Sequence, residues 1–473
     1  MKNLRVAVAG MGRSGLAIAE SAKKRGALPT VYDEQAVESP AQIQAVEHLD
    51  AFGIPSVTSW HGHLDPDEFD LLVASPGFGH THPAITDALA AKKEVISEVE
   101  FAYRIAKSPM ICITGTNGKS TTTVMTWLAL KGAGLNAVLC GNISGSGYDE
   151  LTLTEAADRS GPNDVLVAEI SSFQLEWVQS FKPRVATITN ITPDHLDRYP
   201  DFEQYFSTKL RLFENLDATD TVVMNLDDQS LQPSAILKIL PKGVRRSLFS
   251  FHPSHTRDLY GNLNVFQEGD HLNVFGHKVS LTDFPFKTRY QLTNAAQALS
   301  LACAFLERPS KKQIGSMFES LKSFKGLSHR MEVVGEREGV LVINNSMCTN
   351  PMAVVTSSQS LKDKQHLLMG GNPKNLDFFE VKNYLESSKH KVYVFGPDAA
   401  DFNQKLGGFY PTYSSLEEAF EQAVSNAVAG EVVMLAPGCA SSFPFANFRE
   451  RGEAFCQMAT DWIDKNTLST DVV

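Results

Sequence analysis

Lys119 lies in the densest patch of potential chemistry in the chain, the stretch MICITGTNGKSTTTVM at 110–125. An apolar, β-branched run there meets Gly115, Thr116, Asn117, Gly118, Lys119 and Ser120, and a helical pattern follows. A strand, a glycine loop and a helix in that order make a phosphate cradle from loop N–H groups and the positive end of the helix dipole. Lys119 would then reach the β- and γ-phosphates, and a hydroxyl from Ser120 or Thr121 would ligate Mg²⁺. The commonest spacing of this loop puts its first glycine at 113, where Ile113 stands; here it comes at Gly115. An ATP site is the reading, against a plain glycine turn with an exposed lysine.

Further along, DVLVAE (164–169) is a hydrophobic strand that ends on Glu169. Beside a phosphate loop, such a carboxylate commonly holds the nucleotide's Mg²⁺ directly or through water. VATITNI (185–191) runs into Asp194, His195 and Asp197, a cluster at the carboxyl end of a strand, where open α/β sheets place ligands. Those side chains suit either a metal or a proton transfer. In FEQYFSTKLRLFENL, Phe202, Tyr205, Phe206, Leu210 and Phe213 fall at helical spacing and read as core, while composition alone does not assign Lys209. Nearer the start, Gly10, Gly12 and Gly15 follow the strand LRVAVA, and Asp33 ends a second strand about twenty residues on. Three readings stay open there: an NAD site, another nucleotide diphosphate, or a merely tight turn.

The elements that position these groups alternate along all 473 residues, a length that suggests about two to four domains. Strand patterns such as LLVASPG (71–77), AVLCGNI (137–143), LVINNS, HLLMGG, KVYVFG and EVVMLAPG are separated by amphipathic helices. From about 244 to 286 the pattern is short, β-rich and broken by turns, which predicts a small antiparallel layer. Boundaries fall at the charged connector after 98 and near Gly326, giving domains 1–98, 99–326 and 327–473. The expected class is α/β: a Rossmann-like N-terminal domain, a central P-loop ATPase domain carrying the antiparallel layer, and a Rossmann-like C-terminal domain. A formal net charge of −11 argues against a general nucleic-acid binder. The six cysteines have no zinc or CxxC spacing and read as reduced thiols of a cytoplasmic protein. The apolar run at the start is too short for a signal peptide, and none approaches membrane-spanning length, so no membrane partner is expected. A monomer is the expected state.

Taken in order, TGTNGKST (114–121), EISSFQLE (169–176), NITPDHLDRY (190–199), STKLRLFENL (207–216), SHRMEVV (328–334), GCAS (438–441) and NFRERGEAF (447–455) resemble the Mur ligase family. The branch most similar is the one that joins D-glutamate to UDP-N-acetylmuramoyl-L-alanine. The shortened phosphate loop is that family's own variant. The resemblance implies an ATP-dependent carboxylate–amine ligase of peptidoglycan synthesis working through an acyl phosphate. It implies two Mg²⁺ sites, one on Ser120 or Thr121 with Glu169, the other on His195 with a carbamylated Lys209. It moves the N-terminal loop from NAD to the UDP of a nucleotide sugar, with Arg13, Ser14 and Asp33 as contacts. Asn142, Ser171, Gln174 and His195 match positions along the muramoyl-peptide channel. Gln291 and Asn294 match positions near adenine, and Arg330 one that reaches the phosphates. Thr349, Lys374, Ser441 and Phe448 match positions around the incoming glutamate.

The chain departs from the family pattern in four places. Asn345-Ser346-Met347-Cys348-Thr349-Asn350 stands where the family has Asp-Ser-Lys-Ala-Thr-Asn, so an acid and a cation are lost. Tyr290-Gln291 replaces a His-Asn pair, Asn372-Pro373 enters a glycine-rich turn, and no aspartate follows Ser441 in GCASSFPF. These changes leave room for a ligase of this type with a different amino acid or carboxylate. A non-catalytic homologue and a nicotinamide-dependent oxidoreductase are the other classes; the first would have shed Lys119, Glu169, His195 or Lys209, and the second leaves the phosphate loop idle.

Overall fold

The computed structural model describes residues 1–195, 198–231, 233–252, 263–284, 289–361, 363–373 and 376–464. The chain divides into two compact units, one of 1–144 with 148–324, the other of 145–147 with 325 onward. The first unit holds two sheets. The N-terminal sheet is wholly parallel, with strands in the order Ser56–Val57, Leu28–Tyr32, Arg5–Ala9, Leu71–Ala74, Glu94–Ser97. Its central strands read as apolar runs because helices cover both faces, and Val6, Val8, Ile18, Val31, Val73 and Ile96 form part of that core. The strand order reverses between Arg5–Ala9 and Leu71–Ala74, which opens a crevice at their carboxyl ends.

The second sheet has nine strands and sets up the phosphate loop. From one edge they run His277–Ser280, His271–Val274, Val265–Glu268, Arg245–Ser250, Thr221–Asn225, Val185–Ile188, Met110–Thr114, Asp164–Glu169 and Asn136–Gly141. Met110–Thr114 lies between the strands that end at Ile188 and Glu169, so three carboxyl ends meet beside the loop at 115–118. The antiparallel segment expected from 244 onward continues this same sheet instead of covering it. Arg245–Ser250 and Val265–Glu268 pair parallel, and only the last two strands fold back. The short strands expose one face, which explains why their pattern looked like a separate piece. Phe202, expected in the core, is 37% exposed; it lies in the first turn of the helix Phe202–Leu210 and stacks on Phe206. The connector after Glu98 is a helix, Glu98–Ile105, capped by Ser97, whose side chain accepts from Glu100 N–H.

The second unit carries a six-stranded sheet in the order Glu332–Arg337, Val340–Asn344, Val432–Gly438, Gln365–Gly370, Lys391–Phe395, Thr412–Tyr413. All pairs are parallel except the first, whose edge strand, Glu332–Arg337, the sequence pattern does not reveal. Helices lie on both faces, giving two apolar clusters around Met369 and Leu368 on opposite sides of one strand. Among the described residues no helix is long and apolar enough to cross a membrane.

Candidate functional site

The loop at 115–118 is shaped by close backbone approach. Gly115 sits at φ +144°, and a Cβ there would lie 1.9 Å from Thr189 Oγ1. Gly118, at φ +80°, caps the helix Lys119–Gly132 in the left-handed region, and a Cβ there would come 2.8 Å from Asn294 Oδ1. Thr116 N–H donates to Asn190 O and Asn117 N–H to Asn190 Oδ1, both at 2.9 Å, so the next strand's end holds the loop open. Thr116 Oγ1 also lies 3.0 Å from Tyr205 Oη.

Two lysines converge on this loop. Lys119 Nζ donates to Thr116 O at 2.9 Å, and Lys209 Nζ donates to Gly115 O at 3.0 Å. Lys209 is only 2% exposed, and its nitrogen lies 4.7 Å over the ring of Tyr205. Burial, then repulsion from Lys119, pushes the Lys209 amine well below its ordinary value, against the pull of Asp194 and Glu169. Two lysines thus meet the loop through its carbonyls, and the buried one is driven toward the neutral amine.

Ser120 Oγ donates to Glu169 Oε2 at 2.5 Å, and Asn142 Nδ2 to Glu169 Oε1 at 3.3 Å. The hydroxyl within reach of Glu169 is thus that of Ser120, with Thr121 buried beside it. A serine oxygen and one carboxylate suit Mg²⁺, which keeps several waters and takes its other ligands from phosphates. Among the described residues no three His, Cys, Asp or Glu side chains converge as a metal cage. His195 and an unmodified Lys209 offer only nitrogen ligands, whereas Mg²⁺ prefers oxygen. His195 has a positive φ of 55°, and its ring meets Phe173 edge-on at 4.7 Å. Asp194 lies 3.7 Å from its Nε2, and Asp197 falls outside the described residues.

In the second turn of the helix Arg289–Leu306, Asn294 is 2% exposed and its Nδ2 has no hydrogen-bond partner among the described residues. A buried amide donor left without an acceptor beside the phosphate loop is costly unless a ligand meets it. Gln291 is one turn earlier on the same helix.

In the N-terminal sheet, Asp33 Oδ2 accepts from Met11 N–H at 2.7 Å and Oδ1 from Gln35 N–H at 2.9 Å. Ser14 Oγ donates to the buried Glu98 at 2.5 Å, and Arg13 Nη2 donates to Glu150 O at 3.3 Å. Ser171 caps the short helix Ser172–Leu175 through Gln174, whose Nε2 donates to the same Glu98 at 3.4 Å. Glu98 therefore ties the glycine turn to Gln174 and the Ser171 cap, a role the sequence does not announce. Burial raises its pKa against the hydrogen bonds from Ser14 and Thr154 N–H.

In the second unit, Arg451 is 1% exposed and gathers three segments. It donates to Ser346 O at 2.9 Å and to Gly370 O and Cys439 O at 3.3 Å, and burial pushes it down to about 10. The Met347–Thr349 loop and the Gly371 and Ser441 turns are thereby held together. Ser441 Oγ is buried with no hydrogen-bond partner among the described residues, a second orphan group. Phe448 opens the helix Phe448–Asp464, and its carbonyl accepts from Ser346 Oγ at 2.7 Å. Arg330 Nη2 lies 2.9 Å from the Met347 sulfur. Lys374 falls outside the described residues.

Three family models match in the order of these sheets: a Mur ligase MurD-like N-terminal domain over 4–97, a Mur ligase middle domain over 113–302, and a Mur ligase glutamate ligase domain over 329–439. A relative from Caldanaerobacter subterraneus subsp. tengcongensis, named UDP-N-acetylmuramoylalanine--D-glutamate ligase, is 36% identical over 471 residues, covering 98% of this chain and 99% of its own. The chain belongs to the Mur ligase family. A relative of the same name from Shigella sonnei is 34% identical over 96% of this chain and 98% of its own. Among solved structures, the UDP-N-acetylmuramate-alanine ligase of Thermotoga maritima aligns with a TM-score of 0.58 over 97% of this chain and 100% of that one; at 17% identity it speaks for the fold alone.

The glycine displaced to 115 is the one packed on Thr189. Sequence reasoning missed Asn190, Glu98 and Arg451, and gave Tyr205 only a core role. Asn190 and Arg451 stood inside the motifs NITPDHLDRY and NFRERGEAF. A polar residue at a strand end and an arginine within an amphipathic helix were the available signals.

Proposed function

We propose that this chain is an ATP-dependent ligase that joins D-glutamate to UDP-N-acetylmuramoyl-L-alanine through an acyl phosphate, for peptidoglycan precursor synthesis. The observation that carries the reading is the convergence of Lys119, Lys209 and the Ser120–Glu169 pair on one glycine loop. The nucleotide sugar's carboxylate oxygen attacks the γ-phosphorus, the bond to the β-phosphate oxygen breaks, and ADP leaves. The amine of glutamate then attacks the acyl carbon, and phosphate departs from the tetrahedral intermediate. Every step brings anions together, so fixed positive charge in a site of low dielectric is the main catalytic resource. Bound Mg²⁺, on Ser120 or Thr121 with Glu169 and on His195 with carbamylated Lys209, would neutralise the phosphate oxygens.

In this reading 1–98 holds the UDP-sugar through Arg13, Ser14 and Asp33, and Asn142, Ser171, Gln174 and His195 line the path of the muramoyl peptide. The central 99–326 holds ATP, with Gln291 and Asn294 at adenine, and Arg330 supplies charge to the phosphates. The C-terminal 327–473 takes glutamate through Thr349, Lys374, Ser441 and Phe448. The reaction runs in the cytoplasm, on a monomer.

Phosphate release should require ATP, the nucleotide sugar and an amino acid together, and should not need NAD. In a panel of amino acids, D-glutamate should be preferred but with poor apparent affinity, because Met347 and Asn345 replace charged residues. Losing one cation from a desolvated anion pocket costs about 1.5–3 kcal/mol, roughly a tenfold to hundredfold weakening. Met347→Lys should therefore lower the KM for glutamate by about tenfold; with Arg330 adjacent to position 347, the new cation adds to one already there. A neutral amino acid that outcompetes both glutamate enantiomers would overturn the assignment of the amino acid.

A further inference from the structure

The crevice at the N-terminal sheet's point of reversal has two walls. One is the glycine turn after Ala9; the other is the segment 75–78 that leaves the strand Leu71–Ala74. Ser75 N–H donates to Ala9 O at 3.1 Å, and Phe78 N–H donates back to Ser75 O at 3.1 Å, which turns three successive carbonyls outward. All three meet one guanidinium from beyond the strand Val185–Ile188. Arg198 Nη1 donates to Pro76 O at 2.8 Å and to Gly77 O at 3.4 Å, and Nη2 donates to Phe78 O at 3.0 Å.

The other side of the same guanidinium is held by a buried carboxylate. Arg198 Nε and Nη2 form a fork with Glu176, at 2.9 and 2.6 Å, and Tyr199 Oη donates to Glu176 Oε1 at 2.9 Å. The Glu176 side chain is 1% exposed. Backbone N–H groups of Arg198 and Tyr199 both donate to His195 O at 3.0 Å, which ties Arg198 to His195 with its positive φ. The guanidinium also lies 4.3 Å over the Phe173 ring, the ring that meets the His195 imidazole edge-on.

We infer that Arg198 is a positioning residue that locks the crevice wall at 76–78 and the turn carrying His195 into one register. The inference rests on the reading of a nucleotide sugar in the crevice and of His195 at the reacting end. Converging carbonyl dipoles repel one another, and a planar fork of five donors can satisfy three of them and a carboxylate at once. A lysine offers the same charge as a point with three donors and cannot span both sets. The bond pattern is anchored on the two elements that would hold opposite ends of one substrate, and none of the contacts involves the phosphate loop. Loss of the fork should loosen the nucleotide sugar and leave ATP alone.

The test uses the full chain with Arg198→Lys and Glu176→Gln, comparing KM for UDP-N-acetylmuramoyl-L-alanine with KM for ATP, and measuring direct binding of each by calorimetry. Arg198→Lys should raise the nucleotide-sugar KM by about tenfold or more, lower kcat, and leave the ATP KM within about twofold. Glu176→Gln, which retains one acceptor for Arg198, should move the nucleotide-sugar KM in the same direction by about threefold, again without ATP. A purely structural arginine would raise both constants together or change neither, and either result overturns the inference. Should Arg198→Lys fail to fold, Glu176→Gln decides by the same split. Wild-type chain that binds no nucleotide sugar would instead overturn the reading beneath the inference.

Discussion

Lys119→Ala is expected to lower ATP-dependent phosphate release at least about a hundredfold while the protein stays folded. The magnitude follows from removing one preorganised charge at a phosphoryl transfer in a site shielded from water. The fold should tolerate the change, because Lys119 is the first residue of its helix and alanine is a good helix former there. Its nitrogen bonds the carbonyl of Thr116, which other donors and water can meet in its absence. Removing Lys119 also relieves the repulsion that depresses the neighbouring Lys209 amine. Circular dichroism and thermal unfolding should match wild type, and near-wild-type phosphate release would remove the ATP assignment.

Lys209→Ala should abolish turnover to a similar degree, for a different reason. An unmodified amine at this position would offer Mg²⁺ only a nitrogen, whereas a carbamate would supply the anionic oxygen that Mg²⁺ prefers. The carbamate forms when a neutral amine attacks carbon dioxide: an N–C bond is made and the amine loses a proton to solvent. Burial and Lys119 both favour that neutral amine. Formate or acetate at millimolar concentration should restore part of the activity of Lys209→Ala, since either places a carboxylate oxygen in the vacated space. Wild-type activity should rise with bicarbonate when carbon dioxide is scarce. A fully active Lys209→Ala, or an unmodified lysine in a crystal structure with both metals bound, would remove the carbamate.

The parts of this site that the sequence makes legible are those that interrupt a pattern. Glu169 is visible because an apolar strand has no reason to end in an acid, and Gly115 and Gly118 because they separate a strand from a helix. The expected starts of the strands at 71, 164 and 185 are those observed, since burial on both faces forces continuous apolar runs, but the strands expected to reach 77 and 191 stop at Ala74 and Ile188. Lys209 was opaque: a lysine among helical residues looks solvated until tertiary packing places it 2% exposed against Gly115 O. Arg198 was opaque for a related reason. Three of its partners are backbone carbonyls 120 to 122 positions earlier, and carbonyls leave no trace in residue type. Tyr205 looked like core and is core, yet its hydroxyl also meets Thr116 of the loop.

The central claim is that the carboxylate of a nucleotide sugar, and not water, attacks the γ-phosphorus. Its most direct test labels both carboxylate oxygens of UDP-N-acetylmuramoyl-L-alanine with ¹⁸O and follows the phosphate released in the presence of ATP and D-glutamate. Each turnover through an acyl phosphate breaks the bond between the acyl carbon and the bridging oxygen, so one labelled oxygen leaves with each phosphate. The account predicts phosphate carrying a single ¹⁸O in proportion to amide formed; unlabelled phosphate would contradict it.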